Sequence, residues 1–298
     1  MDVVDEIRAF VATAKTGSFT AAADQLGVSN RLTSKYVAEL ESRLGVRLLQ
    51  RTTRRVGLTP AGEDLLARAP ALLDDLDDLL AEVSEDSRGF TGMIRISAPV
   101  TFGEIYVAGL LSRFGDGNPG LRFDLRLGDD YVDLASEGID LAFRIGRSDM
   151  LSLKSRKLGE IRSVAAASPD YLARHGTPET LEDLRQHACI LDTNRRAPRR
   201  WMFRPDGVEE MVEVQGRFQV NSASAAVQLA AEGLGVCYGP RFALRDALDA
   251  GRLVPVLQEV PSETAPVSAI YLEGRALPRK IRALIEFAAE DIRRNGNL

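Results

Sequence analysis

Asn30, Arg31, Ser34 and Lys35 lie at offsets that bring them onto one outward face near the start of a single helix. An amide and a guanidinium offer the donors and acceptors that base edges demand, whereas a hydroxyl and an ammonium serve bases or phosphates. Ser29 precedes them as the natural N-cap. Further along, Arg51, Arg54 and Arg55 surround Thr52 and Thr53. Guanidinium groups hold phosphate by charge and by paired hydrogen bonds. A polar helix face alone is ordinary solvated surface, and so is a charge run alone. In this order, a reading face followed by a phosphate clamp, they point to double-stranded DNA.

The elements that must position these residues follow from the apolar spacing. Val4, Ile7, Phe10, Val11 and Ala14 recur at helical intervals over residues 2–16, and Gly17 ends that stretch. Residues 20–26 are Ala-rich and suit a second, closely packed helix, with Gly27 at the left-handed turn. A third helix over 30–44 turns Thr33, Val37, Leu40 and Leu44 inward. Short strands over 46–49 and 55–58 flank the basic wing. Residues 1–58 therefore read as an all-α winged helix-turn-helix domain.

This stretch resembles the DNA-binding domain of LysR-type transcriptional regulators. The resemblance is carried by Phe10-Val11, Thr16-Gly17-Ser18-Phe19-Thr20-Ala21-Ala22-Ala23, Leu26-Gly27-Val28-Ser29 and Leu40-Glu41. It continues in Leu44-Gly45-Val46-Arg47-Leu48-Leu49, Arg51-Thr52-Thr53-Arg54 and Leu58-Thr59-Pro60-Ala61-Gly62. The family commonly places Pro in the first turn of the recognition helix, where this chain has Arg31. The operator preference is thus the least transferable part of the resemblance.

Thr59 and Pro60 form a helix start, and Leu65, Ala69, Leu72, Leu76, Leu79 and Val83 then step alternately by four and three. A seam of this period over 59–86 suits a paired linker helix, and the resemblance implies dimerisation through it. Leu65, Leu72, Leu76, Leu79 and Val83 are the candidate contacts. The charge distribution agrees with this division. Residues 1–58 hold nine Lys/Arg against six Asp/Glu, whereas 59–88 hold two against nine. The net charge of −5 thus hides a basic N-terminal segment beside an acidic linker. Residues 87–92 read as a hinge.

From residue 93 to 298 the pattern becomes α/β. Strands are expected at 93–97, 121–127, 140–145, 162–167, 188–191, 235–238 and 267–272. Helices are expected at 101–114, 132–137, 180–185, 222–232 and 278–294. Gly92-Met93-Ile94-Arg95-Ile96-Ser97-Ala98-Pro99, Gly138-Ile139-Asp140-Leu141-Ala142-Phe143-Arg144-Ile145-Gly146 and Ala231-Glu232-Gly233-Leu234-Gly235-Val236 resemble the periplasmic-binding-protein-like effector domain of the same family. That resemblance implies two subdomains, 93–162 with 268–298 and 163–267, around an effector cleft. Pro99-Val100-Thr101 and Asn221-Ser222 stand at helix starts in opposite subdomains, where free N–H groups favour an anion. Arg144 ends a strand at the same edge and suits a carboxylate. Trp201 and Phe203, set among Arg195, Arg196, Arg199, Arg200 and Arg204, are further candidates for the cleft wall.

Other chemistry finds little support. Gly233-x-Gly235 follows a helix and precedes a strand, the reverse of a dinucleotide loop. His175 and His187 lack metal-ligand spacing with Cys189 and Cys237. No nucleophile–base motif of a hydrolase occurs, so no enzyme activity and no cofactor are expected. No signal-like N-terminal segment and no long apolar run is present, which suits a cytoplasmic protein. The leading expectation is a regulator whose operator binding answers to a small molecule, an organic or aromatic carboxylate. The expected partners are operator DNA, that effector, and a second or fourth copy of the chain, with RNA polymerase a candidate. A redox-responsive regulator, a solute-binding module and a small-molecule enzyme remain as alternatives.

Overall fold

The computed structural model describes residues 2–51, 56–83, 89–130, 132–146, 153–272 and 277–295. It divides into two compact units.

The first unit begins with three helices, α1 (Val3–Thr16), α2 (Phe19–Leu26) and α3 (Asn30–Leu44). Each starts at a side-chain cap. Asp2 accepts the Val4 N–H, Ser18 the Ala21 N–H, and Ser29 the Leu32 N–H. Gly27 adopts φ 67°, the left-handed conformation that lets α2 turn abruptly into α3. Strands β1 (Leu49–Arg51) and β2 (Val56–Leu58) pair antiparallel, with Leu49 opposite Leu58. Helix α4 (Pro60–Val83) follows and carries Pro70 within it. The Thr59 hydroxyl donates to the Arg47 carbonyl at 2.7 Å and accepts the Gly62 N–H at 3.1 Å, so it caps α4 and ties it to the chain entering β1. Gly62 is required by that approach, because a Cβ there would stand 2.1 Å from the Leu48 carbonyl oxygen. Phe10, Val37, Leu40, Leu48 and Ala69 form the core of this unit. Residues 118–122 and 132–140 pack with it, Gly138 lying against the Ala67 carbonyl.

One inward expectation and one strand boundary differ here. Leu44 is 48 % exposed, because it is the last helical residue before the Gly45 turn. The strand expected over 46–49 is displaced, since β1 starts only at Leu49.

The second half contains β3 (Thr91–Ala98) and α5 (Val100–Phe102), which runs through a π-turn at Gly103–Val107 into α6 (Ala108–Asp116). Then come β4 (Gly120–Leu127), β5 (Leu141–Ile145), β6 (Leu153–Ala167), α7 (Pro169–His175) and β7 (Ala188–Asp192). A hairpin of β8 (Arg200–Phe203) and β9 (Glu210–Glu213) leads to β10 (Gln215–Val220) and α8 (Ala223–Ala231). The chain closes with β11 (Val236–Pro240), α9 (Arg241–Asp249), β12 (Val254–Val256), β13 (Thr264–Leu272) and α10 (Arg279–Asn295). The main sheet has the order β10-β7-β11-β6-β13-β5-β3-β4, with β12 added beside β6. Strand β6 pairs with β13 up to Arg162 and with β11 and β12 from Ser163 onward. One strand thus serves both halves of the sheet.

The expected helix at 132–137 is instead a single turn. The Asp133 carboxylate takes the Ala135 N–H, and Gly138 at φ 64° reverses the chain. The expected strand at 162–167 is only the end of the 15-residue β6, whose first part carries Lys154, Arg156 and Lys157 and so lacks an apolar pattern. At 180–185 the helical part is a short 3-10 turn, Asp183–Gln186. The region 87–92 is not wholly a hinge, since β3 already includes Thr91 and Gly92. Among the described residues no helix is long and apolar enough to cross a membrane.

Candidate DNA interface and effector cleft

The N-terminus of α3 presents Asn30, Arg31 and Lys35 to solvent, with Ser34 half-buried beside them. Ser29 is committed to its cap, and the buried Thr33 hydroxyl donates to the Ser29 carbonyl at 3.2 Å. Asn30 Nδ2 donates to Thr20 Oγ1 on α2 at 2.9 Å, and Ser34 Oγ donates to Asn30 Oδ1 at 3.4 Å. Lys35 has Glu39 one turn away at 3.8 Å, a loose exposed pair that leaves its charge available. The Arg51 backbone closes β1. The Arg51 side chain and the residues Thr52, Arg54 and Arg55 lie outside the described residues.

Two buried carboxylates hold this face in place, and both escaped the sequence reading. Glu6 on α1 is 1 % exposed and receives Arg43 of α3 through two hydrogen bonds of 3.1 Å. Glu41, 8 % exposed, accepts the Leu48 and Leu49 backbone N–H groups at 2.9 and 3.1 Å and pairs with Arg47 at 3.0 Å. Burial pushes the Glu41 carboxyl upward, but the Leu49 and Leu48 N–H groups and Arg47 outweigh it, and the net direction is down. The available signal was an acid on an otherwise apolar helix stripe, four residues beyond Val37.

Along α4 the leucine seam divides. Leu65 and Ala69, with Leu66 and Leu73, pack into the core of the first unit. Leu72 and Leu79 are 55 % and 57 % exposed, and Leu80 is 61 % exposed. Leu76 is half-buried, and the Val83 side chain lies outside the described residues. Arg8 on α1 pairs with Asp77.

In the second unit the residues expected at the cleft separate into two groups. Pro99 precedes α5, and Thr101 is buried. The Val100 N–H is already met by a carboxylate, that of Asp129, at 3.2 Å. Arg144 on β5 donates to Ser97 Oγ at 3.0 Å and to the Phe143 carbonyl at 2.9 Å. Ser222 caps α8 through the Ala225 N–H at 3.3 Å, and the Asn221 carbonyl accepts from the Asn194 amide at 2.7 Å. Asp192 at the end of β7 is buried, which raises its pKa. Asp129 adds to that rise, while the Asn194 N–H and Arg195 oppose it.

Trp201 and Phe203 do not join them. Both are essentially unexposed and pack in a core cluster with Val212, Val214 and Leu191. Trp201 stacks on Tyr238 with ring centroids 5.1 Å apart. The wall assignment is therefore corrected: the alternation of β8 sends these two rings inward. Arg195 likewise serves structure, pairing with Glu263 at 2.5 Å and lying 4.5 Å above the Tyr238 ring.

The cysteines sit on adjacent strands but on opposite faces. Cys189 faces Val236 and Cys237 faces Ile190 in the β7–β11 register, and the two belong to different core clusters. Burial pushes each thiol up to about 12. Among the described residues no group of His, Cys, Asp and Glu could hold a metal ion.

A helix-turn-helix with an exposed polar recognition helix, joined by a long helix to an α/β domain, defines a DNA-binding regulator architecture. Residues 4–63 match the family model of the bacterial regulatory helix-turn-helix protein, lysR family, and residues 87–293 match that of the LysR substrate binding domain. The chain is 35 % identical over 284 residues to an HTH-type transcriptional regulator of Haemophilus influenzae, covering 95 % of this chain and 99 % of the relative. It is 35 % identical over 293 residues to the HTH-type transcriptional regulator PtxR of Pseudomonas aeruginosa, covering 98 % and 93 %. The solved structure of CrgA, a LysR-type transcriptional regulator from Neisseria meningitidis, superposes with a TM-score of 0.62 at 30 % identity over 96 % of this chain and 98 % of that one. The chain belongs to the LysR family of transcriptional regulators.

Proposed function

We propose that this protein is a cytoplasmic, homo-oligomeric regulator that binds a pseudo-palindromic operator and answers to a small-molecule effector. The exposed Asn30–Lys35 face at the start of α3 carries the reading, because that part of such a helix meets base edges in the major groove. Arg51, Arg54 and Arg55 clamp the flanking phosphates, and Thr52 contributes to the same wing. Two copies pair through the exposed part of the α4 seam, Leu72 and Leu79 with Leu76 and Val83, so that two modules address two half-sites. RNA polymerase is a downstream partner of this reading.

The effector is an organic carboxylate held near Val100, Thr101, Arg144, Asn221 and Ser222. Support comes from the Val100 N–H, which already holds a carboxylate, that of Asp129. Such an internal anion is a stand-in that a ligand carboxylate can replace. The effector shifts the regulator only as far as its affinities for the two arrangements differ.

Gel mobility shift with the DNA upstream of the protein's own gene tests the core of this reading. Sequence-selective binding that weakens steeply with salt is expected. Binding equally to any duplex would sink it.

A further inference from the structure

Thr20 lies on α2, the first helix of the motif, which in such modules crosses the DNA backbone rather than entering the groove, yet its hydroxyl sits 2.9 Å from the side-chain amide of Asn30 at the first position of α3. Ser34, one turn further along α3, approaches the other end of the same amide at 3.4 Å, a longer and weaker contact. Among the described residues these are the two hydrogen bonds of the Asn30 side chain. An amide has two N–H donors and two carbonyl lone pairs. Thr20 uses one donor and Ser34 one lone pair, which leaves one donor and one acceptor of this exposed residue unused. Reversing the amide changes nothing in this count, because each hydroxyl can both donate and accept.

We propose that Thr20 is a positioning residue for operator reading. It holds the Asn30 amide so that its remaining donor and acceptor address one adenine per half-site. Adenine is the base whose major-groove edge presents an acceptor beside a donor, N7 and N6, and an asparagine amide meets both at once. Thr20 itself touches no base. It removes the freedom of an exposed side chain before DNA arrives, so the contact forms without first ordering that side chain. The inference rests on the operator-binding reading above and adds to it the identity of one base and the residue that aims its reader.

Selection of bound duplexes from a randomised library by the full-length chain tests it, followed by affinities for single-position variants of the selected half-site. The wild type should enrich an A·T pair that Asn30→Ala leaves unselected. Loss of such a pair costs roughly fivefold to a hundredfold in discrimination. Thr20→Val, which keeps the shape and deletes the hydroxyl, should lower the preference at that same position by about three- to tenfold, with other positions and the salt dependence unchanged. Thr20→Ser should restore it. Asn30→Asp, which offers only acceptors, should move the preference toward cytosine. A uniform loss across all positions in Thr20→Val, or an unchanged A·T preference, overturns the positioning role. A guanine or cytosine at the Asn30-dependent position overturns the base assignment. Failure of the wild type to enrich any sequence overturns the operator reading itself.

Discussion

The Glu41 carboxylate in the last turn of the recognition helix accepts the Leu48 backbone N–H at 2.9 Å, and the neighbouring Leu49 N–H at 3.1 Å. One side chain therefore fixes how the first wing strand leaves α3. Glu41→Ala strands two backbone donors at the edge of the core, at a cost of about 2–4 kcal/mol. Urea unfolding of the purified protein should show that loss in the N-terminal transition. A variant as stable as the parent would mean that water replaces the carboxylate without cost.

The same group predicts an acid sensitivity. Its carboxyl titrates below the ordinary 4.5 in the folded protein. The stabilisation it provides is then fully present above that ordinary value and is lost as pH falls through the lower, folded-state value. Comparing the stability of wild type and Glu41→Gln from about pH 7 down to about pH 3 should show the wild type losing its advantage at the acid end. A constant difference at all pH values contradicts the assignment.

Leu72 and Leu79 are exposed on α4 while Leu65 and Ala69 are packed. Leu72→Asp with Leu79→Asp should weaken self-association without disturbing the core of the first unit. Each buried leucine is worth about 1.5–3 kcal/mol, so the dimer dissociation constant should rise at least about tenfold. Sedimentation with parallel circular dichroism reads both effects. An unchanged oligomer places the interface elsewhere.

If Asp129 holds the seat of a ligand carboxylate at the Val100 N–H, then Asp129→Ala should bind that ligand more tightly. Thermal shifts with a panel of aliphatic and aromatic carboxylates should show affinities about three- to tenfold higher in the variant. Equal shifts in both proteins would separate the effector from this seat.

Cys189 and Cys237 face opposite sides of the sheet, and burial holds both as thiols, pushed up to about 12. Peroxide treatment should leave operator affinity unchanged, because a reactive cysteine needs an accessible thiolate. Loss of affinity in the wild type, absent from Cys189→Ser, would restore the redox alternative.

Local chemistry made the N-terminal module legible. Ser18, Ser29 and Thr59 announce helix starts through short-range capping, and Gly27 announces the turn between α2 and α3. These signals need no distant partner. Glu6 and Glu41 were not legible as structural residues, since each carboxylate is stabilised by groups six to 37 positions away. The long strand β6 was legible only at its apolar end. Its basic start, with Lys154, Arg156 and Lys157, is a strand because β13 pairs with it.

The amino-acid order by itself determined the module boundaries in outline, the polar face of α3, the basic wing and the period of the linker helix. Each of these depends on residues within a few turns of one another. Tertiary structure decided what those residues are free to do. It turned Trp201 and Phe203 into core, spent Leu65 and Ala69 inside the first unit, and put the Asp129 carboxylate on the Val100 N–H. It also brought Thr20 to Asn30 across two helices. Such pairings depend on distances that the chain sets only when it packs, because apolar period marks which face is buried but not which distant group it meets.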